Sequence, residues 1–389
     1  MYSIIRPAEA PMELAPEDNL RINVLFTQQL RAIRIDDSKL TVHALTSRGE
    51  AKIRLNPNLR EEKYLRGVRE LFSTYALGSP GGYPVFIRRW TRMGQDRDEE
   101  SLRRLLLLGE DEAIVAVANA PGLTDELAEL AWWASPTPEI ARLMLRQPNV
   151  GGGRMGPILA QFLLEYLPFE AEHKDMIESV RMMLQPGLLS DAQRASLWQR
   201  AQRRPTYFIG FLRTLPDTLP DPRPAHPDWQ STRAQLAQPP CGSTNAAATL
   251  LDKALSPAGQ TFMFVAARAL SKVANQDAAV ELFEAIGHFY RRESGEADRT
   301  ATIANILERT QYALEKPEDP AIAAVLKAAP DAHERLGAVL TLGMLNEYTI
   351  APILGHTDSI GSVMRAHLAP AVTVVLEAFH TLGLRPGTH

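Results

Sequence analysis

Cysteine is nearly absent from this 389-residue chain: Cys241 stands alone, so no intrachain disulfide can form. A reducing compartment is the simpler expectation. Long apolar runs are missing as well, and no stretch approaches the roughly 20 uninterrupted apolar residues of a membrane helix. The start, Met1-Tyr2-Ser3-Ile4-Ile5-Arg6-Pro7, lacks the charged flank and apolar run of a signal peptide. The expectation is therefore a cytoplasmic protein without membrane insertion. Charge of one sign is lacking too. A formal net charge of −4 gives no global attraction to nucleic acid or anionic membrane, so any basic surface must be local.

Catalytic signatures are equally scarce. There is no Gly-x-Ser-x-Gly elbow, no His-Glu-x-x-His helix and no paired-cysteine zinc pattern. Gly151-Gly152-Gly153-Arg154-Met155-Gly156 precedes a helical stretch, but it lacks the Gly-Lys-Ser/Thr ending of a phosphate loop and reads as an inter-helix loop. Glu170-x-x-His173 and Glu377-x-x-His380 have the spacing of helical di-iron sites, in which residues three apart project from one face. Such a site needs two further carboxylates, a role that Glu281 and Glu284, with His288 one turn further on, could fill. The ordinary alternative is a charged loop at Glu170 and a solvated rim at Glu377. No cofactor is expected, and the chain reads as a non-enzyme.

What is present is mostly helical. A chain of this length exceeds one compact core. Residues 1–97 read as an α+β module. Pro16-Glu17-Asp18 opens a helix; the runs Ala32 to Ile35, Leu40 to Leu45 and Ala51 to Leu55 form a meander; Glu61 to Tyr75 is helical; Val85 to Trp90 returns as a strand. Residues 98–214 form a block of short helices with Pro and Gly punctuation, suited to HEAT-like antiparallel stacking. A Pro-rich linker or wrapping loop occupies 215–245. Residues 246–389 form a second helical block.

Inside the first block a unit is duplicated. Pro121-Gly122-Leu123 with Trp133, Pro138 and Leu145-Arg146 matches Pro186-Gly187-Leu188 with Trp198, Pro205 and Leu212-Arg213. Thr124 and Ser190 stand where an N-cap is wanted. Trp133 and Trp198 match and are assigned to packing, whereas Trp132 faces Leu197 in the other copy and is assigned to partner recognition. The head is rich in basic groups, and Arg88, Arg89, Trp90 and Arg92 are the other candidate contacts, because Arg and Trp dominate interface energetics. Basic groups beside Phe86 and Trp90 could also hold single-stranded nucleic acid.

Several stretches carry a family resemblance: Pro16-Glu17-Asp18-Asn19-Leu20-Arg21-Ile22-Asn23-Val24-Leu25, Gly78-Ser79-Pro80-Gly81-Gly82-Tyr83-Pro84-Val85, Arg89-Trp90-Thr91-Arg92-Met93-Gly94-Gln95 and Ala120-Pro121-Gly122-Leu123-Thr124-Asp125-Glu126-Leu127. Arg48-Gly49-Glu50-Ala51, Arg54-Leu55-Asn56-Pro57, Ala131-Trp132-Trp133 and Met176-Ile177-Glu178-Ser179-Val180-Arg181 add to it. Together they resemble the DsrS family, accessory proteins encoded with the reverse-acting dissimilatory sulfite reductase genes of sulfur-oxidising bacteria. The resemblance spans most of the chain, strongest before Phe211. It implies a cytoplasmic accessory or regulatory protein of sulfur oxidation, without known cofactor, that recognises other proteins of the pathway. It carries over no active-site residues. The alternatives are an RNA-binding regulator acting through the basic head, and a carboxylate/His metalloenzyme.

Overall fold

The computed structural model describes residues 14–93, 98–241, 244–292, 298–355 and 360–385, with side chains of the third helix described only through Ile87. The chain is mainly helical with a small α+β module at its start, and it divides into two compact units, Met1–Leu163 and Leu164–His389. The division falls inside a helix.

In the first unit, α1 (Pro16–Phe26) precedes an antiparallel meander of β1 (Leu30–Asp36), β2 (Thr41–Thr46) and β3 (Gly49–Arg54). The β2–β3 loop is two residues long because Gly49, at φ 122°, accepts a backbone conformation closed to other residues. Ile22 and Leu25 of α1 pack with Ile33, Val42 and Ile53 of the sheet and with Tyr64, Val68 and Phe72 of α2 (Glu61–Leu77). The edge of β1 is closed where Ile33 N–H donates to the Leu106 carbonyl at 2.8 Å, and α6 (Asp125–Ala134) packs on the same strand.

Tyr64 also ties the module together through a polar contact. Its hydroxyl donates to Asp18 Oδ2 at 2.5 Å, and the same oxygen accepts from Asn56 N–H at 2.6 Å. Asp18 is fully buried, so this pair links α1, the end of the meander and α2 where water cannot compete.

The segment expected as a strand from Val85 to Trp90 is instead α3 (Gly82–Met93). Its first-turn amides decide the matter: Gly82 N–H donates to Ser73 Oγ at 2.8 Å and Tyr83 N–H to Glu110 Oε2 at 2.9 Å. Pro84 costs nothing in a first helical turn but would remove a ladder bond from a strand. Tertiary partners thus override the β-preferring Val, Phe, Ile and Trp.

The unit continues through α4 (Glu99–Leu105), α5 (Asp111–Ala118), α6, α7 (Pro138–Leu145), α8 (Pro148–Gly151) and α9 (Met155–Tyr166). Gly122 in the turn before α6 has φ 73°, and Thr124 then caps that helix by accepting from Leu127 N–H.

The second unit begins with the last residues of α9 and adds α10 (His173–Met183), α11 (Asp191–Arg203) and α12 (Thr206–Thr214). The Pro-rich segment is not free of structure, since it contains α13 (Trp229–Leu236). Next come α14 (Ala246–Leu255), α15 (Pro257–Ser271) and α16 (Gln276–Tyr290). They are followed by α17 (Ile303–Glu315), α18 (Pro320–Ala328), α19 (His333–Gly343), α20 (Glu347–Leu354) and α21 (Gly361–Thr381). Asn245, Ser256, Asn275, Thr302, Asp319 and Asn346 each accept a backbone N–H at a helix start. By length and hydropathy α21 alone would qualify as a single membrane-spanning helix among the described residues. Yet Met364, Leu368, Ala371, Val375 and Phe379 place a buried stripe along one face, and α21 packs on α19 and α20.

In this unit α16 meets α19 and the turn after it at van der Waals limit. A Cβ on Gly287 would stand 1.8 Å from the Leu345 carbonyl oxygen, and one on Gly343 would stand 2.5 Å from that of Tyr290. Gly187, the second copy of Gly122, contrasts with them: its φ is 81°, but the space around it is open.

Two predictions follow from these contacts. Gly187→Ala should cost about 1–2 kcal/mol, the penalty of a left-handed L-residue. Gly287→Ala should cost about 3 kcal/mol, the upper range for overpacking; urea denaturation followed by circular dichroism should rank them in that order. Tyr64→Phe should cost about 1.5–3 kcal/mol, the range for a hydrogen bond to a charged group. Burial, and then the bond to Asp18, push the Tyr64 phenol up to about 12. A raised folded-state pKa stabilises fully below the unfolded value of about 10 and is lost as pH rises through the folded one. The stability gap between wild type and Tyr64→Phe should therefore hold level below pH 10 and shrink from there towards 12.

Candidate functional site

The most distinctive surface of the second unit is a groove where the end of α11, the Pro-rich segment and α15 come together. Three depressions of about 650, 590 and 450 Å³ run into one another. Gln199 and Gln202 are common to the first two, and Arg223, Pro224 and Phe264 to the second and third. Among the described residues six arginines line the groove, Arg200, Arg203, Arg204, Arg223, Arg268 and Arg385, against a single carboxylate, Asp221.

The first five of these arginines form no salt bridge with any carboxylate among the described residues. Four of them are held by neutral groups instead. Arg200 donates to the Leu164 carbonyl at 3.1 Å, and Arg204 donates to the Tyr207 hydroxyl at 3.2 Å. Arg268 donates to the Gln202 side chain and stands 5.1 Å from the centre of the Phe208 ring. Arg223 lies 3.5 Å over Phe264, which Arg268 approaches from 5.8 Å. Aromatic and carbonyl partners fix the guanidinium planes without neutralising them.

Helix ends offset part of this charge. Arg200 and Arg203 lie in the last turn of α11, and Arg268 lies in that of α15, where backbone carbonyls are exposed. Each helix C-terminus is equivalent to about half a negative charge, so two of them cancel about one arginine. The remainder is strongly positive in a chain whose net charge is −4.

Trp198 shapes the groove floor. Its ring is buried edge-on against Phe208 and Phe211, each at 5.0 Å, and its Nε1–H donates to Asp221 Oδ2 at 2.7 Å. Asp221 adopts φ 58°, a left-handed conformation that Asp and Asn tolerate better than other side-chain-bearing residues. The indole thus pins the Pro220-Asp221-Pro222 bend and occupies the single acid of the groove. Nearby, His173 Nδ1 lies 2.9 Å from Thr206 Oγ1; burial and then the Arg204 charge hold its imidazole below the ordinary range.

The sequence candidates fall elsewhere. Arg88, Arg89, Trp90 and Arg92 lie on α3, and their side chains are outside the described residues. Trp132 is half-buried with its ring edge-on to Phe162 at 4.7 Å. Its counterpart Leu197 is fully buried. Trp133 is half-buried as well, and Arg34 sits 5.2 Å over its ring. Within the head Arg34, Lys39, Arg66 and Arg69 are ion-paired with Glu50, Asp36, Glu70 and Asp37.

The metal candidates do not assemble. Glu170 is buried and accepts from Ser179 Oγ at 2.9 Å, while Glu377 and His380 are on the exposed face of α21. Glu281 pairs with Arg213 and Glu284 accepts from Glu347 N–H. No three His, Cys, Asp or Glu side chains come within metal-binding reach of each other among the described residues. Burial raises the Cys241 thiol, which makes it a poorer nucleophile.

The groove escaped sequence reasoning because its six arginines come from four separated segments. Arg203-Arg204 before Pro205 was the one local signal. Comparisons with protein-family models, with curated proteins and with solved structures return no match.

The bend at Asp221 generates a prediction. Asp221→Ala removes the indole's acceptor and keeps the left-handed φ, and should cost about 2 kcal/mol. Asp221→Asn retains an acceptor and tolerates the conformation, and should cost under about 1 kcal/mol. Thermal unfolding of the two variants should separate them in that order.

Proposed function

We propose that this protein is a non-enzymatic binding protein whose second unit docks an acidic segment of a partner protein in the arginine groove. The observation that carries this reading is the set of five arginines without carboxylate partners on one continuous concave surface. Guanidinium groups placed over aromatic rings, as Arg223 and Arg268 are, keep donors for bidentate recognition of carboxylates and lose little side-chain freedom on binding. Taken with the resemblance to the DsrS family, the proposal is an accessory protein of dissimilatory sulfur oxidation acting in the cytoplasm, its partners being acidic proteins of that pathway.

A second reading, nucleic acid held by the head, draws on Arg48, Lys52, Arg54, Arg60 and Lys63, which are exposed and form no ion pair with the described residues. Phe86, which would have stacked on a base, is buried, and this weakens the reading.

The test uses the full chain and its triple variant Arg200→Gln, Arg203→Gln, Arg204→Gln. Both are assayed by fluorescence anisotropy against a fluorescein-labelled glutamate-rich peptide and a labelled single-stranded RNA. Capture from a sulfur-oxidising bacterial extract is run in parallel, with partners identified by mass spectrometry. The expected result is peptide binding that weakens with rising salt and falls at least about tenfold in the variant, each lost charge-assisted contact being worth about 1.5–3 kcal/mol. Capture of acidic sulfur-oxidation proteins should be lost in parallel. Equal peptide binding by both chains would overturn the groove assignment. RNA bound more tightly than peptide would replace it with the nucleic-acid reading, and capture of no sulfur-pathway protein would remove the pathway.

A further inference from the structure

At one end of the arginine groove, in the depression of about 450 Å³, an acceptor joins the cations. Gln260 of α15 lines that recess and is 9% exposed. Its Nε2 donates to the Ala254 carbonyl at 3.1 Å and to the Leu382 carbonyl at 2.9 Å. These bonds fix the amide's orientation, because a flipped amide would set its oxygen against two carbonyls. Oε1 therefore faces the other way, and it accepts from no group among the described residues. Tyr290 Oη and Arg292 Nε are also unpartnered, but they are shut off from solvent, whereas this oxygen opens on the recess.

His226 supplies a donor beside it. Its Nδ1 accepts the Asp228 N–H at 3.1 Å, so the ring proton sits on Nε2, which has no partner among the described residues. Burial, and then the Arg335 charge, hold the imidazole below its ordinary range against the opposing pull of Asp228. Gly383, at φ 109°, lets the ring lie against the backbone: a Cβ there would stand 2.4 Å from His226 Cδ2. The same point is 3.2 Å from Gln260 Oε1 and 3.3 Å from His226 Nε2, so an acceptor and a donor flank one small space. The recess is held in shape. Arg223 N–H donates to Thr261 Oγ1 at 2.8 Å, and His226 N–H donates to the Leu255 carbonyl at 2.9 Å.

These two atoms select among the groups that an acidic segment can offer. A carboxylate only accepts, so Gln260 Oε1 would repel it. An ammonium only donates, and Arg223 and Arg385 on the same walls oppose its charge. A trans peptide group points its N–H and C=O in opposite directions and reaches one partner. A primary carboxamide carries both on one edge and reaches both. A nucleobase edge could do the same, but the Phe264 ring on which it would stack already lies under Arg223 at 3.5 Å. Building on the docking reading above, we propose that this recess seats the side-chain carboxamide of an asparagine or glutamine within the acidic partner segment. Its N–H donates to Gln260 Oε1 and its carbonyl accepts from His226 Nε2.

Fluorescence anisotropy of the full chain tests this with labelled glutamate-rich peptides whose central residue is glutamine, asparagine, methionine or leucine. Methionine and leucine match the two carboxamides in size and lack the amide. At least one carboxamide peptide should bind about fivefold or more tighter than its apolar counterpart, the lower end for two neutral hydrogen bonds. His226→Asn can still accept from the Asp228 amide but does not reach as far as Nε2, and in it that preference should fall at least about twofold. Equal binding of carboxamide and apolar peptides by the wild type overturns the proposal and leaves the groove reading standing. A preference undiminished in His226→Asn overturns it too, and the wild-type comparison stands whether or not that variant folds. Binding of none of the four peptides overturns the docking reading and this proposal with it. A labelled single-stranded RNA bound more tightly than any peptide, and weakened in His226→Asn, would give the recess to a base edge instead.

Discussion

Short helices cannot stand alone, and the rest of this structure answers to that constraint. Most helices here run from 7 to 15 residues, a length at which an isolated helix in water is marginal. Each end exposes unbonded amides or carbonyls that something else must satisfy. The chain meets the need locally at many starts, with side-chain caps such as Thr124, Ser190, Asn245 and Asn346. Elsewhere it uses distant groups, as when Ser73 and Glu110 receive the first amides of α3. At helix C-termini the corresponding device is cationic, and two such ends bring Arg200, Arg203 and Arg268 into one groove. A stabilising habit of helices thereby concentrates charge that the folded chain leaves unneutralised.

That concentration exceeds what capping needs. In the head, Arg34, Lys39, Arg66 and Arg69 each face a carboxylate, which leaves little net field. In the groove the partners are carbonyl, hydroxyl, amide and aromatic faces. A stacked guanidinium keeps its in-plane donors available, a property that a lysine ammonium on a flexible stem lacks. Trp198 contributes by holding Asp221 in place, and no arginine of the groove forms a salt bridge with it among the described residues. The groove is therefore both charged and positionally defined, the combination that favours a specific acidic partner over a counterion cloud.

Much of the fold was legible because punctuation in this sequence is local. Asp36-Asp37-Ser38 and Ser47-Arg48-Gly49 separate the strands, and the meander forms where those breaks put it. The helices from α4 onward begin within a few residues of Ser, Thr, Asp, Asn or Pro signals for the same reason. The failure at α3 is instructive: Val85-Phe86-Ile87 favours a strand, and the helix is decided by Glu110, more than twenty residues away. The duplicated unit shows the same split. Both copies keep the left-handed glycine and the cap, which are backbone requirements. The tryptophans diverge, Trp198 sealing a core and Trp133 sitting half-buried under Arg34. The groove was not legible, because Arg204, Arg223 and Arg268 become neighbours only after helices pack.

The arginine groove and the buried donors of the second unit differ in their relation to water. The groove arginines remain in contact with water, so an unoccupied groove costs nothing and partner binding must displace solvent and counterions. Its occupancy is consequently tied to ionic strength. The donors at Tyr290 and Arg292 have already lost their water on folding, and the cost is carried by the folded state whether or not a ligand is present. The glycine contacts between α16 and the end of α19 prevent local relaxation there, so that deficit is a fixed cost of the fold. Occupancy of the groove, by contrast, varies with the solution, because its arginines exchange water and counterions for a partner.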